Sequence, residues 1–403
     1  MKQFKRTFFK DFLETWNICG TECGACYYHG PIIPHNWLEL PSHEWAPPSH
    51  KCPSFDYFKF KAYSGVGRGD LASIVHDDRS YSITEDLMHV MYTCTGCGMC
   101  SEICYKLRPL TAIFAIREEL LERGGRLPEP LARIDAHIDK VGNMFGVSRP
   151  MKILEGIPAE GEDLYFAGCI ARFQRPEVVK ATMRVLMAAG INIAYLGEGE
   201  RCCGLIPGHD GNTPIFERMA AQNIDAFRKA GAKRVIVSCA HCYKTLRVDY
   251  RLVGGDLPFE VVHIAELLSK LIDEKRIRLT EVVKKRITYH DPCFLGRYCH
   301  IFDEPRKVLG SIPGLELVEM ERYGKWSYCC GSGTKITSAC YPEFTAAVTK
   351  ERLEEGKQAA ETVVTACNTC YNHMDRAARQ ERMGLEIIDL PILVAKAMGI
   401  PSD

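Results

Sequence analysis

Ten cysteines of this chain repeat in one order. Cys169, the pair Cys202 and Cys203, Cys239 and Cys242 recur as Cys293, Cys329 and Cys330, Cys367 and Cys370; Gly204 and Gly331 follow the pairs and a CxxC closes each set. Each copy thus gathers five thiolates. Tetrahedral zinc or a cubane iron–sulfur cluster is satisfied by four protein ligands. A fifth sulfur and an adjacent Cys-Cys pair therefore ask for a larger inorganic centre, an unusual iron–sulfur cluster in each copy. These ten residues are candidate catalytic groups as well as candidate metal ligands.

A second kind of cysteine run precedes them. Cys94, Cys97, Cys100 and Cys104 form CxxCxxCxxxC, the ligand run of bacterial ferredoxins, in which the fourth cysteine ligates the other of two cubanes. Tyr105 stands where a proline usually follows. Cys19, Cys23 and Cys26 have CxxxCxxC spacing, and Cys52, followed by Pro53, completes eight ligands. Crossed pairing assigns Cys19, Cys23, Cys26 and Cys104 to one [4Fe-4S] cubane, and Cys52, Cys94, Cys97 and Cys100 to the other. One cubane with a structural zinc, or with an unused set, is the alternative.

The composition suits metal ligation in a globular protein. Of 403 residues, 46% are hydrophobic and 25% charged, with 51 basic and 51 acidic side chains, so there is no electrostatic case for nucleic acid as a partner. No apolar stretch is long enough to span a bilayer: Val261 to Ile272 is broken by His263, Glu266, Ser269 and Lys270. Met1 to Lys10 is basic but is followed by no secretory core, so a cytoplasmic location is expected, with docking on a membrane subunit left open. Without export, 20 cysteines read as ligands rather than disulfides; 18 fall into the patterns above, and Cys299 and Cys340 read as small buried residues.

The elements that must hold these thiols follow from the pattern between them. Residues 1–150 are expected to form a loop-rich and helical ferredoxin-like domain, with a helix between Leu107 and Arg126 stopped by Gly124 and Gly125. A polar segment from Leu127 to Pro150 reads as a link. Beyond Asp163, short apolar runs alternate with amphipathic stretches, which predicts βαβ units and parallel sheets. Strands are expected at Leu164–Ala167, Ile191–Leu196 and Arg234–Val237, with helices at Pro176–Ala189 and Phe216–Ala230. The second copy offers Ile287–His290, Leu315–Met320 and Thr362–Thr365 as strands and Glu343–Glu355 as a helix. Corresponding cysteines are offset by 124 to 128 residues. The fold class is therefore α/β, with two duplicated small Cys-Cys-Gly domains, 151–280 and 281–403, after the ferredoxin-like domain. The cysteines cluster at the carboxyl ends of the expected strands, where open parallel sheets bind ligands. A pseudo-twofold arrangement would turn the two sites toward a shared cleft.

The chain resembles the catalytic subunit of heterodisulfide reductases, a ferredoxin-type domain fused to a tandem Cys-Cys-Gly domain. The resemblance runs from about residue 15 to 400. It rests on Cys-Cys-Gly at 202–204 and 329–331, CxxC at 239–242 and 367–370, and Tyr289-His290-Asp291-Pro292-Cys293. It implies a noncubane [4Fe-4S] cluster on each complete five-cysteine set and a disulfide substrate cleaved between the two, in an anaerobic oxidoreductase. Both sets are complete here. Arg201, Arg297 and Lys335 stand beside the cysteine loops as candidate binders of substrate anions, and His241 and His290 as candidate proton donors. Tyr243 and Tyr371 read as packing. No GxGxxG follows a strand, so flavin or nicotinamide would belong to another member of a hetero-oligomer. A flavoprotein, ferredoxin, hydrogenase or membrane cytochrome would be the electron partner. Three other readings remain: a pure electron relay in a larger anaerobic complex, a thioredoxin-like dithiol at Cys239 and Cys242, and a structural zinc module.

Overall fold

The computed structural model describes residues 52–104, 109–148 and 154–401. Residues 163–397 form two four-stranded sheets, parallel throughout: β1 (Asp163–Phe166), β2 (Ile193–Ala194), β3 (Arg234–Val237) and β4 (Glu260–His263) in the order β2-β1-β3-β4, then β5 (Lys285–His290), β6 (Leu315–Leu317), β7 (Thr362–Thr365) and β8 (Glu386–Asp389) in the order β6-β5-β7-β8. The α/β class and the duplication expected from sequence both hold. In register, Leu164 lies beside Ala194 and Val235, and Val363 pairs with Thr288 and Ile387.

The central strands are buried because helices cover both faces, which is why they read as apolar runs rather than alternations. All four residues of β7 are buried. In the first half, the helix Thr213–Lys229 buries Ile215, Phe216, Met219, Ala220, Asn223 and Phe227 at helical spacing. Phe227 meets Phe166 and Phe259 edge-on, with ring centroids 5.7 and 5.4 Å away. Pro176 and Pro342 open their helices at the first position, where the missing N–H has no intrahelical partner to lose.

Two features depart from the sequence reading. The fourth strand of each half, β4 and β8, is not among the expected strands. Each leads into a helix that leaves its own half: Ile264–Asp273 packs on Asp303–Gly310, and Leu390–Ala397 packs on Pro176–Ala188. The halves are thereby interlocked. The expected link also contains a helix, Glu129–Val141, ended by Gly142 in the left-handed region at φ 75°. Its buried Leu131 and Ile138 face the body of the protein. The residues before it form short helices, Pro53–Phe58, Gly65–Asp77, Glu85–Tyr92, Met99–Ile103 and Pro109–Glu122.

Candidate functional site

Strand order reverses between β1 and β3 and again between β5 and β7, opening a crevice at the carboxyl end of each sheet. The cysteines enter these crevices from strand ends. Cys169 sits in the first turn of Gly168–Gln174 after β1, and Cys239 and Cys367 are the residues immediately preceding the helices after β3 and β7. Cys202 and Cys203 follow β2 in a turn closed by Gly204, and Cys329 and Cys330 are closed by Gly331, at φ 80° and 84°. Nine of the ten are buried and Cys293 is partly buried.

Nine of the ten sulfurs form a hydrogen-bonded chain. Cys169 hydrogen-bonds Cys202, Cys202 hydrogen-bonds Cys203, Cys203 hydrogen-bonds Cys242 and Cys242 hydrogen-bonds Cys239. In the second half Cys329 hydrogen-bonds Cys330, Cys330 hydrogen-bonds Cys370 and Cys370 hydrogen-bonds Cys367, with Cys293 in the electrostatic field of Cys329 and Cys330. The two runs meet where Cys239 Sγ lies 4.0 Å from Cys367 Sγ. These are corresponding residues of the duplication, and their meeting is what a pseudo-twofold axis between the halves requires. Around that axis Asn368 Nδ2 donates to Ala167 O and Ser238 Oγ, and Arg175 Nη2 pairs with Asp375 at 2.6 Å.

Crowded, buried thiols cannot all ionise together. Thiols bonded to Cys203 hold it down to about 6, and Cys239 and Cys330 are likewise held well below the ordinary thiol range by neighbouring S–H groups. The donors shift the opposite way: Cys242, Cys329 and Cys370 are pushed well up by the same bonds, and burial drives Cys293 to about 12. A polyvalent cationic centre would ionise the whole set at neutral pH, since thiolate ligation releases protons. The all-sulfur donor sets suit soft iron–sulfur centres, and five donors exceed what zinc uses.

Other side chains hold the loops. Asn223 Nδ2 donates to Cys202 O, and Tyr250 OH to Cys203 O. Glu200 accepts from the Ala167 and Gly168 amides at 2.8 Å, fixing the approach to Cys169. His290 accepts from Arg352 at Nδ1 and hydrogen-bonds Cys330; the ligand atoms of His290, Cys330 and Cys370 lie within 4.8 Å of one another. Gly331 N points at Cys329 Sγ at 3.4 Å.

A cleft opens on the first thiol set, and all five of its cysteines line it. Besides those cysteines it is lined by His241 and, reaching over from the second half, Thr334, Lys335, Asn368 and Thr369. Lys335 stands in the left-handed region at φ 69°, and burial lowers its ammonium to about 8. Arg201 is exposed and packs over Gly142, outside the cleft lining. Arg297 is buried, with its guanidinium donating to the carbonyls of Cys97, Lys325 and Ser327. Tyr243 OH donates to Glu266, and Tyr371 OH to Glu177. Sequence reasoning misses Asn223, Tyr250, Glu200 and Arg352. None adjoins a cysteine motif, apart from Glu200 two residues before Cys202.

The loop Cys94–Gly98 docks on the second half: Thr337 Oγ1 donates to Cys94 O, Tyr298 OH to Gly96 O and Arg297 Nε to Cys97 O. Cys52 lies in the field of Cys94 and Cys97, and a Cβ on Gly65 would fall 3.1 Å from Cys100 Sγ. Cys104 follows the helix Met99–Ile103; Cys19, Cys23 and Cys26 lie outside the described residues.

Comparison with known proteins fits this arrangement. A family model described as a cysteine-rich domain matches residues 164–247 and 287–375, one per half. The chain is thus a tandem cysteine-rich-domain protein of the iron–sulfur oxidoreductase class. It is 31% identical over 331 residues to a component of the dihydromethanophenazine:CoB–CoM heterodisulfide reductase of Methanosarcina acetivorans, covering 78% of this chain and 80% of that one. It is also 32% identical to a component of the fumarate reductase (CoM/CoB) of Methanothermobacter marburgensis, over 74% of this chain and 61% of that one. A hypothetical protein from Helicobacter pylori shares the fold, with a TM-score of 0.54 at 11% identity over 83% of this chain and 68% of that one. The chain belongs to the family of that heterodisulfide reductase component. It is one member of an oxidoreductase and carries iron–sulfur clusters, and among the described residues no helix is long and apolar enough to cross a membrane.

Proposed function

We propose that the chain reduces a small-molecule disulfide in the cleft where its two halves meet. In this reading residues 1–150 hold two [4Fe-4S] cubanes, residues 151–280 bind a noncubane [4Fe-4S] cluster through the first five cysteines, and residues 281–403 bind another through the second. The observation that carries it is the meeting of the two five-cysteine sets, with Cys239 Sγ 4.0 Å from Cys367 Sγ, at a cleft lined by residues of both halves.

Cleaving a disulfide takes two electrons and two protons and releases two thiols. Bound on the two sets, the clusters would supply the electrons one at a time from neighbouring positions. The chain's own groups serve the rest. Lys335 presents a cation to the cleft, His241 lines it, and Asn368 and Thr369 offer polar contacts. The docking of the Cys94–Gly98 loop on the second half supports electron supply from the N-terminal domain to that half first. Electrons would come from other redox proteins of the complex, for which a flavoprotein, ferredoxin, hydrogenase or membrane cytochrome are the candidate classes.

The test is to purify the full chain without oxygen, measure iron and acid-labile sulfide, reduce it, and add disulfides. Oxidation with release of thiol and a new paramagnetic cluster state is expected. Zinc without sulfide, or a reduced iron–sulfur protein inert to every disulfide, would overturn the proposal; the second result would leave a relay.

A further inference from the structure

Three arginines surround the Cys94–Cys97 loop, and none forms an ion pair with a carboxylate among the described residues. Arg68 is 1% exposed, Arg117 fully buried and Arg297 7% exposed. Arg68 and Arg117 direct their guanidinium groups at carbonyls and hydroxyls of their surroundings. Arg297 differs in where it sits. It comes four residues after Cys293, and its Nε donates to Cys97 O at 2.7 Å while Nη1 donates to Lys325 O and Ser327 O at 3.0 and 2.7 Å. Its Nη2 is buried and has no hydrogen-bond partner among the described residues. The groups whose ionisation would act most on it are Cys97, Cys293 and Cys329, which belong to two different donor sets.

A buried cation without a counter-charge costs several kcal/mol, so it persists where something anionic balances it. Among the described residues, the groups placed to do so are the cysteines on either side. Resting on the cluster assignment proposed above, we infer that Arg297 is the shared counter-charge of the Cys52/Cys94/Cys97/Cys100 centre and of the second five-cysteine centre, holding both reduction potentials up. Reduction adds negative charge to an iron–sulfur centre, and a fixed cation nearby stabilises the reduced form. One side chain thus keeps two neighbouring centres matched. It is a positioning residue, with no contact to substrate required.

The test is a redox titration of the full chain followed by electron paramagnetic resonance, with iron and sulfide measured on every sample. Arg297→Gln is expected to lower two of the cluster potentials by at least about 59 mV each, the one-electron equivalent of a tenfold change. The signal lost in Cys203→Ser, that of the first five-cysteine centre, should stay in place. Arg297→Lys, which keeps the charge but not the carbonyl contacts, should hold both potentials within half that shift. A loaded Arg297→Gln that moves neither potential, or only one, overturns the inference, and so does an Arg297→Lys that falls as far. If Arg297→Gln fails to retain iron, Arg297→Lys decides alone: unmoved potentials support the shared charge and lowered ones refute it. A wild-type chain without iron and sulfide would instead overturn the cluster assignment itself.

Discussion

Replacing Gly331 with alanine should damage the second thiol set far more than the same change at Gly204 damages the first. Both glycines close a Cys-Cys turn, at φ 84° and 80°, so both alanines take on left-handed strain of about 1–2 kcal/mol. Their surroundings differ. A Cβ on Gly204 would meet Met219 and Phe216 side-chain atoms at 3.2 Å, which small shifts relieve. A Cβ on Gly331 would lie 2.0 Å from Thr349 Oγ1 and 2.8 Å from the Thr345 carbonyl oxygen, in a helix that cannot retreat. Forcing a methyl into such packing adds about 1–3 kcal/mol, giving about 2–5 kcal/mol in all for Gly331→Ala. Thr349→Ala in the same chain should recover only part of this, because the carbonyl remains. The assay is the denaturation midpoint together with iron bound per chain. Equal, mild losses for the two glycine variants would refute the packing argument.

Cys203→Ser and Cys329→Ser should each abolish disulfide turnover while leaving the ferredoxin-type signals of the N-terminal domain, since neither residue belongs to that ligand run; resonance spectra of the reduced variants check this. Asp135 and Asp210 form a buried carboxyl pair, and burial raises Asp135 from 3.8 to about 6. A carboxyl whose folded value is raised stays protonated in the fold after it has ionised in the unfolded chain, so the contribution of Asp135 falls as pH rises from about 4 to about 6, and that of Asp210, raised well above its ordinary value, continues the fall. Asp135→Asn should remove its part of that slope and raise stability at pH 7 by up to about 3 kcal/mol, read from denaturation midpoints across that range.

The thiol sets are legible in the sequence because ligand spacing is a local property: CxxC and Cys-Cys-Gly are visible in a few residues, and their recurrence shows the duplication. The inner strands are legible for a similar reason, since Arg234–Val237 and Thr362–Thr365 are apolar and bounded by turns. β4 and β8 are not. Each is an edge strand of mixed burial that runs straight into a helix, so its pattern merges with the helical one that follows. The helix Glu129–Val141 is hidden by its polar face and by prolines at its start. Nor can spacing reveal that Arg297 is turned into the seam with the N-terminal domain, because the Cys97 carbonyl it binds lies 200 residues away in sequence.

The two copies carry the same sulfurs in unlike settings. At the offset of 127 that relates Cys203 to Cys330, Lys335 corresponds to Gly208; at the offset of 124 that relates Cys169 to Cys293, Arg297 corresponds to Phe173. Gly208 packs under the Phe216 ring, and Phe173 rests against Phe145. The second half therefore puts a cation on each side of its thiol set, one toward the cleft and one toward the N-terminal loop, where the first half has glycine and an aromatic ring at those positions and a buried cation, Arg172, that is ion-paired with Glu200. A symmetric pair of donor sets in symmetric surroundings would give electrons no preferred order. On the reading proposed above, these two side-chain differences on a duplicated frame distinguish the half that carries the docked Cys94–Gly98 loop from the half that lines most of the cleft.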